Sequence, residues 1–237
     1  MIPLHDINPR RHGPPLIVIA LIAANTLFFL YELTLGETRL ESFLLAAAFI
    51  PGRLLADGLS AGDLAAGAQS AFLSMFLHGG WAHFLGNMLF LWVFGDNVED
   101  ELGHVRFLFL YLAAGYVATI AHAWANPLSA LPAIGASGAI SGVLGAYLFA
   151  HPRARIVTVL ILGFFIRFIQ VPAWVYLPFW FLLQLLPGLA SLGAPTAAEQ
   201  GGVAWFAHIG GFIAGPVLRL LLGGGRRAPS RGPRRAL

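Results

Sequence analysis

The chain has 237 residues, 58% of them hydrophobic and only 11% charged. A soluble domain carries about 25% charged residues, so this composition argues against a water-soluble globule and for a multi-pass membrane protein. All 14 basic residues are Arg, against 11 acidic ones, and the absence of Cys excludes disulfides, cysteine nucleophiles and thiolate metal sites.

Residues 1–14 form a short N-terminal segment, expected on the cytoplasmic side, with Arg10 and Arg11 ahead of the first apolar run. That run is longer than a signal-peptide core and lacks a clear small-x-small cleavage site, so it reads as an uncleaved first span. Hydropathy and turn residues place six spans near 15–33, 82–99, 105–123, 136–150, 171–189 and 203–222. They predict an all-α membrane protein with one six-span bundle over 15–222.

Two stretches depart from this pattern. Residues 34–81 contain apolar pieces broken by Pro51, Gly52, Gly58 and Gly62, which predicts a structured external loop lying in the interface. Residues 156–166 are apolar but bounded by Arg155 and Arg167. About 11 residues of helix reach about 16 Å against a hydrocarbon core of about 30 Å, so this piece reads as interfacial or re-entrant.

Arg226, Arg227, Arg231, Arg234 and Arg235 lie in a tail, 223–237, that is expected to be disordered. A basic tail fits nucleic-acid or anionic-lipid binding, and equally a cytoplasmic end that follows the positive-inside rule. The second reading is preferred, with no nucleic-acid partner. Arg10, Arg11, Arg106, Arg153, Arg155, Arg167 and Arg219 fall on the tail's side, and only Arg39 and Arg53 on the other. Both termini are thus expected in the cytoplasm, in a bacterial inner membrane.

The fourth span is short. At about 15 residues it extends about 22 Å, and Arg153 and Arg155 hold its lower end at the cytoplasmic face. The deficit of about 8 Å then falls at the outer end, where Ser137 lies. The loop 126–135 must dip inward to meet it, and irregular backbone at that depth needs protein or water beside it. Ser137 is expected in a wet recess.

Serine becomes a nucleophile when a base takes its proton, and imidazole suits that task near neutral pH. His208, early in the sixth span, is the candidate base. Gly138, Gly142 and Gly145 on one helix and Gly211 and Gly215 on the other allow the two backbones to approach closely. His83 and Asn87 are four apart on one helix face, with His78 just before it, and such side chains can donate to a developing oxyanion. The Ser137 N–H, at a helix N-terminus, adds another donor.

Taken singly, these residues also have plainer readings. Ser137 fits helix packing or an N-cap, and His208 an interhelical hydrogen bond. His78 and His83 lack the further ligands that a zinc site needs, so no metal is expected. The aromatic fifth span, with Trp174, Tyr176, Phe179, Trp180 and Phe181, reads as lipid-facing packing. Asp96, Glu99, Asp100 and Glu101 read as an acidic helix end near Arg106. What favours chemistry is the joint occurrence of Ser, His and Asn at matched depth.

Three motifs in order carry a family resemblance: His78-Gly79-Gly80-Trp81-Ala82-His83-Phe84-Leu85-Gly86-Asn87, Gly135-Ala136-Ser137-Gly138 and Ala207-His208-Ile209-Gly210-Gly211-Phe212-Ile213-Ala214-Gly215. Together they resemble the rhomboid intramembrane serine proteases, over roughly 15–222. Gly95-xxx-Glu99-xxx-Gly103 is similar to the motif that closes that family's second span. The resemblance implies a six-span bundle with a Ser137–His208 dyad, an oxyanion site involving His83 and Asn87, and His78 as a structural residue at the site's edge. It further implies cleavage of transmembrane protein substrates within membrane lipid, a gate and cap formed by the fifth span and 188–202, and no cofactor. Ser141 stands where some members carry an aromatic that stacks on the catalytic imidazole, and the Trp-Arg pair of some members' first loop is missing from 34–81.

An inactive rhomboid-like protein that binds or escorts transmembrane helices is the main alternative, although both Ser and His are retained. A small-molecule transporter is disfavoured because no inverted repeat with paired broken helices is visible.

Overall fold

A computed structural model describes residues 1–8, 13–56, 60–163, 165–193 and 204–224. In chain order its elements are β1 (Ile2–Asp6), α1 (Leu16–Thr34), α2 (Glu37–Ala47), α3 (Pro51–Ala56), α4 (Ala61–Ser74), α5 (Trp81–Leu102) and α6 (His104–Ala125). They continue with α7 (Ser137–Ala150), β2 (Arg155–Leu162), β3 (Phe165–Pro172), α8 (Ala173–Gly193) and α9 (Trp205–Leu221). Among the described residues, Leu16–Thr34, His104–Ala125 and Ala173–Ala190 are long and apolar enough to cross a membrane, while α7 and α9 are shorter apolar helices.

The centre of the fold is α7. Every residue from Gly138 to Tyr147 is buried, as expected of a helix that is apolar all round and enclosed by other helices. It packs against α5, α6 and α9. Missing side chains make this possible: a β-carbon on Gly211 would run into the Gly138 carbonyl oxygen, and one on Gly215 into that of Gly142. On the opposite flank, a β-carbon on Gly138 would lie 2.7 Å from Ala118 Cβ of α6. Only small residues let one helix touch two neighbours this closely.

The fold is not all-α. β1, β2 and β3 form an antiparallel sheet in that order, with Ile2 opposite Val159 and Ile156 opposite Val171. Residues 156–166 therefore supply most of a hairpin, extended rather than helical. Five of the eight β2 residues are β-branched, which suits a pleated strand. Ile156 and Thr158, two apart, are both fully buried on one face. Gly163, with φ of 59°, turns the chain at the hairpin's end.

The N-terminal segment is likewise more than a leader to the first span. β1 adds the third strand, and the Asp6 carboxylate accepts hydrogen bonds from the Tyr147 hydroxyl of α7 and, at 2.9 Å, from Asn97 Nδ2 of α5. The acidic end of α5 is also differently engaged. Glu99 is buried and accepts the N–H groups of Ile17 and Val18 at 2.9 and 2.8 Å, donors left unpaired at the start of α1. Glu101 pairs with Arg219 of α9, with Nε 3.0 Å from Oε2. Residues 188–193, expected in a loop, continue α8; the rest of that loop and the Arg-rich tail from 225 onward lie outside the described residues.

Candidate functional site

Ser137 is the first residue of α7 and His208 lies one turn into α9. The glycine contacts between these helices bring Ser137 Oγ to 2.7 Å from His208 Nε2. His208 is buried and Ser137 half-buried. A cleft of about 30 Å³ beside Ser137, lined also by Ser74, Gly135, Gly138 and Ala207, has room for at least one water molecule.

The turn that leads into α7 depends on Gly135. Its φ of 116° belongs to a region that L side chains avoid, and its N–H donates to the Ser74 carbonyl at 2.8 Å. A β-carbon there would stand 2.5 Å from His83 Nε2 and 3.6 Å from Asn87 Nδ2. Glycine thus lets the His83 ring pack directly on the backbone two residues before Ser137, with the Asn87 amide close by. Asn87 is buried, and its Nδ2 has no hydrogen-bond partner among the described residues. A buried, unpaired amide donor is costly, and such groups gather where a ligand or reacting atom will satisfy them.

His78 packs edge-on against His83, with ring centroids 5.2 Å apart. Its N–H donates to both carboxylate oxygens of Glu32, at 3.0 and 3.2 Å, and its Nδ1 lies 3.3 Å from the Phe76 carbonyl oxygen. Burial, with the neighbouring His83 as the lesser cause, lowers the His78 pKa to about 4. Its ring is therefore neutral at physiological pH. Among the described residues, no group of three or more His, Cys, Asp and Glu side chains is arranged to hold a metal ion.

Ser141 is fully buried and its hydroxyl donates to the Ser137 carbonyl at 2.7 Å. The aromatic neighbours of His208 include two indoles, Trp180 of α8 at 6.1 Å and Trp205 of its own helix at 6.3 Å between centroids. Its Nδ1 is 2.8 Å from Gln184 Oε1. The aromatic face of α8 is thus not wholly turned to lipid: Tyr176 is buried and Phe181 stacks on Phe212, while Trp174 and Phe179 are exposed. Gln184 and Glu32 were not singled out from the sequence. Their signal was there, a polar group inside an apolar helix.

The fold and site define a class: a helical membrane protein with a close serine–histidine pair enclosed among its helices. Comparison with known proteins gives the family. The profile described as Rhomboid domain matches residues 65–225. Rhomboid protease GluP of Bacillus subtilis is 33% identical over 213 residues, covering 89% of this chain and 36% of that protein. The mitochondrial Rhomboid protein 1 of Saccharomyces cerevisiae is 32% identical over 146 residues, covering 60% of this chain and 38% of that protein. The putative rhomboid protease YdcA of Bacillus subtilis is 40% identical over 73 residues, covering 31% of this chain and 36% of that protein. The chain belongs to the rhomboid family, and it spans little more than a third of the length of these relatives.

Proposed function

We propose that this protein is an intramembrane serine endopeptidase that hydrolyses peptide bonds in or near transmembrane segments of membrane-protein substrates. The observation that carries this reading is the 2.7 Å approach of Ser137 Oγ to His208 Nε2. That is hydrogen-bond distance for a nucleophile and its base. His208 takes the Ser137 proton as the oxygen attacks the scissile carbonyl, then passes it to the leaving amine. Water, activated by the same imidazole, releases the acyl group from Ser137.

Charge develops on the carbonyl oxygen during attack. The Ser137 N–H at the α7 N-terminus, the Asn87 amide and the His83 ring are its proposed donors, supported by the approach of both side chains to Gly135 and the unpaired Asn87 Nδ2. His78 acts at the edge by packing on His83. In the bilayer, α1, α5, α6, α7, α8 and α9 would be the six spans, with both termini cytoplasmic. With 14 residues, α7 extends about 21 Å, which sets Ser137 below the outer surface of a hydrocarbon layer of about 30 Å.

The test uses the full chain in detergent or nanodiscs. A fluorophosphonate should label the wild type, and Ser137→Ala or His208→Ala should lose both labelling and cleavage of a reporter transmembrane substrate. Cleavage that persists in Ser137→Ala would refute the mechanism. A wild type that binds the reporter without cleaving it would identify the inactive, helix-binding alternative.

A further inference from the structure

Gln184 lies on α8 between Pro178 and Pro187, and reaches across to α9. An amide side chain offers two N–H donors on one atom and an acceptor on the other, so its orientation decides what it does to an imidazole. Here Gln184 Nε2 donates to the Trp180 carbonyl at 3.4 Å, one turn back along α8. A carbonyl can only accept, so that contact fixes Nε2 and turns Oε1 towards His208, 2.8 Å from Nδ1. Oε1 also only accepts. Nδ1 must then carry the imidazole proton, and Nε2, the atom beside Ser137, keeps its lone pair.

We propose that Gln184 is a positioning residue that sets the tautomer and ring orientation of His208. The inference rests on reading Ser137 and His208 as nucleophile and base. Gln184 fills the position of the acidic third member of a Ser-His-Asp triad, but with a neutral acceptor. It orients the ring without the added basicity that a carboxylate would give. Because Gln184 belongs to α8 and the serine to α7, the base is correctly set only while α8 is seated on α9. That seating includes Phe181 and Trp180 against Phe212 and the close approach of Gly188 to Trp205 and Ile209.

The experiment measures kcat and KM against pH for the full chain in nanodiscs with a reporter transmembrane substrate. The wild type is compared with Gln184→Met, Gln184→Glu and His208→Ala. Gln184→Met keeps the volume but loses the acceptor, and kcat should fall about 10²-fold with KM unchanged, the scale of a misplaced general base. Gln184→Glu restores an acceptor with a charge: kcat should recover above that of Gln184→Met, and the acid limb of kcat/KM should move about one pH unit towards higher pH relative to wild type. A Gln184→Met kcat equal to wild type, with His208→Ala inactive, would overturn the role of Gln184 and leave the dyad standing. An active His208→Ala would overturn both. Independently of the variants' folding, ¹⁵N NMR of histidine-labelled Ser137→Ala protein should report His208 protonated at Nδ1; protonation at Nε2 alone would overturn the inference.

Discussion

The Glu32 carboxylate, at the end of α1, holds the His78 backbone N–H with both of its oxygens, at 3.0 and 3.2 Å. Both residues are almost fully buried, so neither partner has water as a substitute. Glu32→Ala should lower the stability of the detergent-solubilised protein by about 1–3 kcal/mol, the cost of leaving a buried donor unpaired. Glu32→Gln keeps an acceptor and should cost less. Equal stability of both variants to the wild type, in thermal or denaturant unfolding, would show that the contact contributes nothing.

His78 makes the fold sensitive to acid. Its folded pKa of about 4 lies below the ordinary 6.5. As pH falls below 6.5, the unfolded chain takes up a proton there that the folded chain does not accept until about 4. The stability from keeping this ring neutral is thus present above 6.5 and is lost as pH falls towards 4. Between pH 7.5 and pH 5 the Tm of the wild type should fall relative to that of His78→Gln. Parallel slopes would remove His78 from the account.

The α7–α9 contact should tolerate almost no added volume. A β-carbon on Gly215 would overlap the Gly142 carbonyl oxygen, which belongs to the backbone and cannot move aside. Gly215→Ala should destabilise by about 1–3 kcal/mol through overpacking, and Gly215→Val by more. Gly86, with nothing within 4 Å of where its β-carbon would stand, is the control, and Gly86→Ala should leave the Tm within a degree or two. Similar melting of the two alanine variants would argue against the seam.

Asn87→Ala should reduce kcat by about 10²-fold or more at unchanged KM, the scale for loss of one oxyanion donor. The variant also removes an unpaired buried amide, so it should be at least as stable as the wild type. A lower stability with unchanged kcat would make Asn87 a structural residue instead.

Ser137 and His208 were legible in the sequence because each is a polar group among glycines in an apolar run, and the glycine spacing announced the seam that joins them. Gln184 was not, because it lies among aromatic and leucine residues that read equally well as a lipid-facing surface. Its meaning depends on a residue 24 positions away. The hairpin is hidden by length, since 156–166 is too short to cross the bilayer as a helix and only its run of β-branched residues speaks to strand geometry. The docking of β1 was hidden for a different reason. Asp6 meets Tyr147 from 141 residues away, and no local pattern encodes that pairing.

The glycine seam has a mechanical consequence. Ser137 and His208 ride on helices whose main chains touch, so no flexible side chain intervenes to let their separation drift. Warming that loosens side-chain packing elsewhere leaves the two backbones in register. What stays free is rotation of the two side chains, and Gln184 of α8 meets only one of them, the imidazole. Heat should therefore first disturb the orientation of the side chains, while the spacing of the two backbones lasts as long as α7 and α9 stay together.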